Sequence, residues 1–146
     1  MKFYLILFAI TTFFMSGCQK SETIFVPSHY PKKANAPFSD IVKVDNLLFL
    51  AGQIGMDHNS RTLVEGGIQA ETKQAIQNIE EVLKLQGAAL KDVVKCTVIL
   101  SDINDFKAFN EVYVKCFPNK PARTTFAASG LAVGAKIEID CIAVVP

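Results

Sequence analysis

The chain has 146 residues, half of them hydrophobic, and its 15 basic and 14 acidic side chains give a formal net charge of +1. This length predicts a single domain. Binding to a phosphate backbone needs a concentrated positive face, and no basic block occurs in the sequence. We therefore exclude nucleic acid as a main partner.

The N-terminal segment MKFYLILFAITTFFMSGC has the pattern of an export signal. Lys2 precedes an apolar or hydroxyl run from Phe3 to Met15. The run is too short to span a bilayer comfortably and is typical of the central part of a secretory signal. An ordinary signal peptide and a short membrane anchor that stays on the protein are alternative interpretations.

Small residues directly before Cys18 resemble the lipobox of bacterial lipoproteins, in which the cysteine is lipidated and becomes the new N-terminus. The resemblance implies a lipoprotein signal peptide over residues 1–17, and a lipidated N-terminus and tether over residues 18–36. We therefore expect an exported protein, anchored to the periplasmic side of a bacterial membrane by lipid on Cys18. The tether includes TIFV, a candidate short strand.

The remaining cysteines and the histidines predict no cofactor. Cys96, Cys116 and Cys141 are odd in number and lie in apolar sequence, which favours buried free thiols over a disulfide framework. His29 and His58 are far apart and do not form a metal-binding pattern. We expect neither a metal nor an organic cofactor.

The predicted elements follow in chain order. Two strands, over Ser39–Asp45 and Asn46–Gly55, are joined by a turn, and the segment from Met56 to Gly67 is rich in turn formers and predicts a loop. Apolar residues at helical spacing predict an amphipathic helix over Ile68–Gly87. A strand over Lys91–Leu100 comes next.

A second helix begins near Asp102 or Asn104, since either side chain can cap it. Strands over Ala122–Ser129 and Ala135–Val145 complete the chain. The order β-β-α-β-α-β-β predicts an α+β fold, a mixed sheet with two helices packed on one face. Because the other face would remain uncovered, we expect an oligomer.

Two charged residues in the last strands have alternative interpretations. Arg123 begins a strand and is either a surface arginine or a group that holds a carboxylate. Apolar residues alternate along Ile137 to Val145, while Glu138 and Asp140 follow the opposite face. Acidic residues are poor strand formers, so Glu138 is either a solvated strand residue or a functional one.

Four segments, LFLAGQIGMD, VVKCTVILSDINDFKAFNEVY, KPARTTF and AKIEIDCIAVV, closely resemble the Rid family, also called YjgF-like. The resemblance runs from about Pro37 to Val144 and implies a Rid-like domain over residues 37–146. It also implies a chorismate-mutase-like fold and a homotrimer, with the three sheets forming a central barrel inside the helices. The founding branch of the family hydrolyses enamines and imines of the 2-aminoacrylate and 2-iminopropanoate type to 2-keto acids and ammonia.

The resemblance also assigns site residues in a cleft between subunits. Arg123 falls on the arginine that grips the substrate carboxylate, and Glu138 on the acid proposed to activate the attacking water. Gly52 falls where a backbone amide approaches the substrate, and Asn110 on a residue of the same pocket. The implied ligands are small 2-imino and 2-keto acids.

Three pocket positions depart from the family pattern. Phe38 replaces a tyrosine, Ala51 replaces a serine and Thr125 replaces a cysteine, so three polar groups are changed. The deaminase interpretation is kept because Arg123 and Glu138 are both present. The alternative is a trimeric binding module for small carboxylates that has no catalytic activity.

Overall fold

A computed structural model of the protein describes residues 20–145. Its strands are β1 (Thr23–Val26), β2 (Ile41–Val44), β3 (Leu47–Ile54), β4 (Met56–Asp57), β5 (Thr62–Leu63), β6 (Val93–Leu100), β7 (Ala122–Ala127) and β8 (Ile137–Val144), and its α-helices are α1 (Gly67–Lys84) and α2 (Phe106–Cys116). Short 3-10 helices span Pro31–Lys33, Leu90–Asp92, Ile103–Asp105 and Ala132–Gly134. The predicted signal peptide and Cys18 lie outside the described residues.

Six of the strands form one mixed sheet in the order β1-β2-β3-β8-β6-β7. Neighbours are antiparallel except β6 and β7, which are parallel and are connected through α2. The predicted order of elements is confirmed, with two additions. The TIFV segment forms β1, which pairs with β2, and the predicted loop from Met56 to Gly67 contains the small β4–β5 hairpin.

Helix α1 follows from the periodicity of its apolar side chains. Ala75, Ile76, Ile79, Val82 and Leu83 are all buried and form one stripe against the sheet. The chain leaves the helix through Gly87, whose φ of 71° lies in the left-handed region that glycine adopts readily.

Helix α2 begins one 3-10 turn later than the sequence predicts. The Asp102 carboxylate accepts a hydrogen bond from the backbone N–H of Asn104 at 2.9 Å. This bond caps the 3-10 turn Ile103–Asp105, and the α-helix follows that turn directly. Phe109 and Tyr113 are its buried residues, and they pack into the same core as α1. Asn110 and Tyr113 of this helix contact Arg123 near the start of β7.

The two faces of the sheet differ in burial. Ile139, Cys141 and Ala143 on β8 are buried under the helices, whereas alternate residues of the same strand are half-buried. On the uncovered face, the side chains of Phe49 and Phe126 are 40% and 45% exposed. The helices therefore cover one face only, and the other presents apolar surface of the kind that marks an interface.

The cysteines of the described residues are free thiols, as predicted. Cys96 and Cys141 are buried cross-strand neighbours with their Sγ atoms 3.3 Å apart, while Cys116 is half-buried. Contact with Cys96, together with burial, raises the pKa of Cys141. Cys141 therefore remains a protonated thiol that packs as a small apolar side chain.

Within residues 20–145, no helix is both long and apolar enough to cross a membrane.

Candidate functional site

Glu138 and Gly52 lie against each other where β3 and β8 pair irregularly. The register changes from Leu50 opposite Cys141 to Gln53 opposite Ile139, which makes a β-bulge at residues 51–52. A Cβ atom at position 52 would lie 1.9 Å from the Glu138 Oε1. Glycine is therefore required here by the close approach of the carboxylate to the backbone.

The Glu138 carboxylate lines a cavity of about 260 Å³, which we call the Glu138 cleft. The wall of this cleft includes Lys33, Phe38, Gly52, His58, Arg61 and Glu138. Phe38 is exposed, and the Lys33 Nζ lies 5.3 Å from its ring centre. The same ammonium group pairs with the buried Asp40 carboxylate at 2.6 Å. The cleft thus combines one carboxylate with an apolar wall and two cationic side chains, Lys33 and Arg61.

Arg123 lies in a second cavity of about 400 Å³, the Arg123 pocket, whose wall includes Asn110, Tyr113, Phe117, Lys120 and Arg123. The Arg123 Nη1 donates to the Asn110 Oδ1 at 2.9 Å. Its guanidinium carbon lies 4.6 Å from the ring centre of Tyr113 and 5.2 Å from that of Phe109. These contacts orient the planar group while leaving donors available to a ligand.

No carboxylate neutralises Arg123 within residues 20–145. A half-buried guanidinium without an anionic partner is unusual in a structural role, since burial of an unpaired charge is costly. The arrangement is suited to an anionic ligand that binds in the plane of the guanidinium.

Thr125 and Ala51 are close to these cavities without forming their walls. Thr125 follows Arg123 by two residues on the same face of β7, and its buried Oγ1 has no hydrogen-bond partner in residues 20–145. The backbone N–H of Ala51 donates to the Asp40 carbonyl at 2.9 Å. Thr125 thus offers an unused hydroxyl beside Arg123, whereas Ala51 contributes to the bulge that carries Gly52.

The strand register places Arg123 and Glu138 on opposite faces of the sheet. Arg123 is directly opposite Cys96, and Cys96 is directly opposite Cys141, so these three side chains share the helix-covered face. Glu138 precedes Cys141 by three residues and therefore points to the uncovered face. One ligand can contact both groups only if they come from different subunits.

The sequence did not indicate the roles of His58 and Arg61 in the Glu138 cleft. His58 is only 7% exposed; its Nε2 lies 3.3 Å from the Gln53 Oε1, and its Nδ1 has no partner among the described residues. Burial lowers the pKa of His58, and the charges of Lys33 and Arg61 lower it further. A loop prediction contains no signal for such an arrangement, because the β4–β5 hairpin brings these side chains to the cleft.

A mixed sheet with this topology and both helices on one face defines an α+β protein of the chorismate-mutase-like class. The family model described as Endoribonuclease L-PSP matches residues 29–145. Human 2-iminobutanoate/2-iminopropanoate deaminase is 46% identical over 112 residues, which are 76% of this chain and 82% of the human protein. The chain belongs to this family, the Rid or YjgF-like family.

Solved structures agree with this assignment. A Rid-family protein from Yersinia pestis superposes with a TM-score of 0.79 at 31% identity, covering 85% of this chain and all of the other. A Thermotoga maritima protein titled a putative endoribonuclease gives a TM-score of 0.78 at 38% identity, with 84% and 98% coverage. The predicted Rid-like fold is therefore confirmed.

Proposed function

We propose that this protein hydrolyses reactive enamine and imine intermediates of the 2-aminoacrylate and 2-iminopropanoate type to 2-keto acids and ammonia. The observation that carries the proposal is the guanidinium of Arg123, which is oriented by Asn110 and aromatic rings and lacks a carboxylate partner in residues 20–145. The curated deaminases that share nearly half of their aligned residues with this chain support the same reaction.

In this reaction Arg123 binds the carboxylate of the imino acid. Its planar fork donates two parallel hydrogen bonds and remains charged at every relevant pH, so it orients the substrate as well as attracting it. Asn110 holds the fork through one nitrogen. Thr125 lies on the same face of β7 two residues further on, but its buried hydroxyl is outside the wall of the Arg123 pocket.

Glu138 acts as the general base for the attacking water. A water molecule adds to the imine carbon while Glu138 accepts one of its protons, which gives a carbinolamine. Glu138 delivers this proton and then the hydroxyl proton of the carbinolamine to the nitrogen, so the carbon–nitrogen bond breaks, ammonia leaves and the carbinol oxygen becomes the keto group. Gly52 allows substrate and carboxylate to approach the backbone at the bulge, because a side chain there would occupy the place of the Glu138 carboxylate.

A coupled assay tests this function directly. A lyase or oxidase generates 2-aminoacrylate or an imine in the cuvette, and its decay is followed with and without the purified protein. We expect faster decay and stoichiometric ammonia release. Binding of small 2-keto acids without any acceleration would instead support the alternative of a binding module.

We further propose that the active form is a homotrimer in which the uncovered faces of three sheets form a central barrel. The exposed Phe49 and Phe126 support an interface on that face, and the opposite orientations of Arg123 and Glu138 require a second subunit to complete the site. Light scattering on protein that lacks residues 1–18 should give three times the monomer mass. A monodisperse monomer at micromolar concentration would contradict the shared site.

The last part of the proposal is that Cys18 carries lipid and that the protein works on the outer side of the inner membrane. It rests on the signal-like sequence before Cys18. The purified wild-type protein should partition into detergent and carry a diacylglyceryl-type mass adduct, and Cys18→Ala should lose both properties. A soluble wild-type protein with an unmodified, cleaved N-terminus would remove the anchor.

A further inference from the structure

The Glu138 cleft contains a cation that the proposed reaction does not use. Arg61 is exposed in the cleft wall and forms no ion pair within residues 20–145. Lys33, by contrast, is neutralised by Asp40, with both side chains buried. Arg61 is therefore the uncompensated positive charge in a wall whose one carboxylate belongs to Glu138.

The β4–β5 hairpin holds Arg61 in this position. The Arg61 backbone N–H donates to the Asp57 carbonyl at 2.8 Å, and its φ of 65° lies in the left-handed region. A residue with a Cβ atom adopts this conformation less readily than glycine. The hairpin thus presents a long cationic side chain at a turn position where glycine would be less strained.

His58 adds a second unused polar group to the same wall. Its Nε2 faces Gln53, whose amide is oriented by donation to the Ala51 carbonyl at 3.2 Å. The Nδ1 has no partner among the described residues although the side chain is almost fully buried. A buried polar atom without a partner is normally satisfied by water or by a ligand. Because the Nε2 faces an acceptor oxygen, it carries the proton of the neutral ring, so the Nδ1 is an acceptor that pairs with a donor such as water and not with a carboxylate.

We propose that Arg61 forms an anionic subsite, and that the protein accepts imino acids whose side chain ends in a second carboxylate. The proposal rests on the proposed function: Arg123 of one subunit binds the α-carboxylate and Glu138 of another faces the reacting carbon. The substrate side chain then extends along the remaining wall of the Glu138 cleft. A dianionic substrate beside Glu138 needs a second cation there, and Arg61 supplies it.

The first test measures binding and does not depend on catalysis. Calorimetry on the intact protein compares 2-oxoglutarate, which has a second carboxylate, with 2-oxobutyrate, which has none. Wild type should bind 2-oxoglutarate more tightly. Because Arg61 is exposed and solvent screens exposed ion pairs, we expect Arg61→Ala to lower the ratio of the two affinities by about 2- to 5-fold. Arg61→Lys should retain part of the preference because it keeps the charge.

Matched controls separate a subsite from a general charge effect. Lys91→Ala removes an exposed cation outside the cleft and should leave the affinity ratio unchanged. The amide analogue of 2-oxoglutarate tests charge against polarity, since Arg61→Ala should weaken the dicarboxylate more than the amide. An unchanged ratio in Arg61→Ala, or equal losses for acid and amide, would overturn the anionic subsite.

The second test measures turnover of imines that an amino-acid oxidase generates from glutamate and from 2-aminobutyrate. Arg61→Ala should lower the ratio of kcat/KM for the glutamate imine to kcat/KM for the 2-aminobutyrate imine. The factor should equal the one by which it lowers the ratio of the affinities for 2-oxoglutarate and 2-oxobutyrate. If wild type shows the expected binding preference yet accelerates the hydrolysis of neither imine, the proposed function fails and the subsite stands. If it hydrolyses both imines with a ratio that Arg61→Ala does not change, the subsite is wrong and the function stands.

Discussion

Replacement of Arg123 by alanine should abolish imine hydrolysis while leaving the fold and the assembly intact. The guanidinium has no carboxylate partner in residues 20–145, so its loss breaks no described ion pair. A bound carboxylate would lose its charged partner. Such a loss costs roughly 2–5 kcal/mol, or about 30- to several-thousand-fold in binding.

Arg123→Lys separates charge from geometry. Lysine keeps the positive charge but has no planar fork, and it cannot keep both the contact to Asn110 and a bidentate contact to the ligand. We expect an intermediate loss of activity, measured as kcat/KM, in a variant whose mass and thermal unfolding match those of wild type. If Arg123→Ala binds 2-keto acids and turns over imines like wild type, the carboxylate role is wrong and Arg123 is an ordinary strand-end residue.

The second large effect is expected for Glu138→Gln, which should lower turnover by roughly 100-fold or more. Glutamine has the same shape, so the close contact with the Gly52 backbone is preserved. It cannot accept a proton from water. Because the carboxylate of the substrate is bound by Arg123, the affinity for 2-keto acids should remain near that of wild type.

Asp140 provides the matched control for this variant. It lies on the same strand two residues further on, also half-buried on the uncovered face, but outside the wall of the Glu138 cleft. Asp140→Asn, which also exchanges a carboxylate for the amide of the same shape, should therefore not reproduce the loss of turnover. Full activity of Glu138→Gln would leave Glu138 as a structural strand residue.

The sequence was sufficient where regular periodicity decides the structure. The apolar stripe of α1 and the alternation along β8 each have one solution that buries the apolar side chains, and both predictions are confirmed. The uncovered sheet face also follows from the order of elements. Phe49 and Phe126 show it, since they remain exposed in a chain whose helices are on the other side.

The arrangement within the site could not be derived in this way. The opposite orientations of Arg123 and Glu138 depend on the register of the parallel β6–β7 pair, which a crossover through α2 sets. The approach of Glu138 to Gly52 depends on a bulge in β3. Arg61 reaches the cleft through strands of only two residues, which are too short for any alternation to appear in the sequence.

The placement of Arg123 and Glu138 on opposite faces has a consequence for mixed populations of subunits. If each site takes its arginine from one copy and its carboxylate from the next, a trimer assembled from Arg123→Ala and Glu138→Gln subunits contains interfaces at which both groups are intact. Random co-assembly of equal amounts would restore roughly a quarter of the sites around a closed ring. Two inactive variants would then restore activity when they co-assemble, whereas either variant alone would lower the activity of trimers that it forms with wild-type subunits.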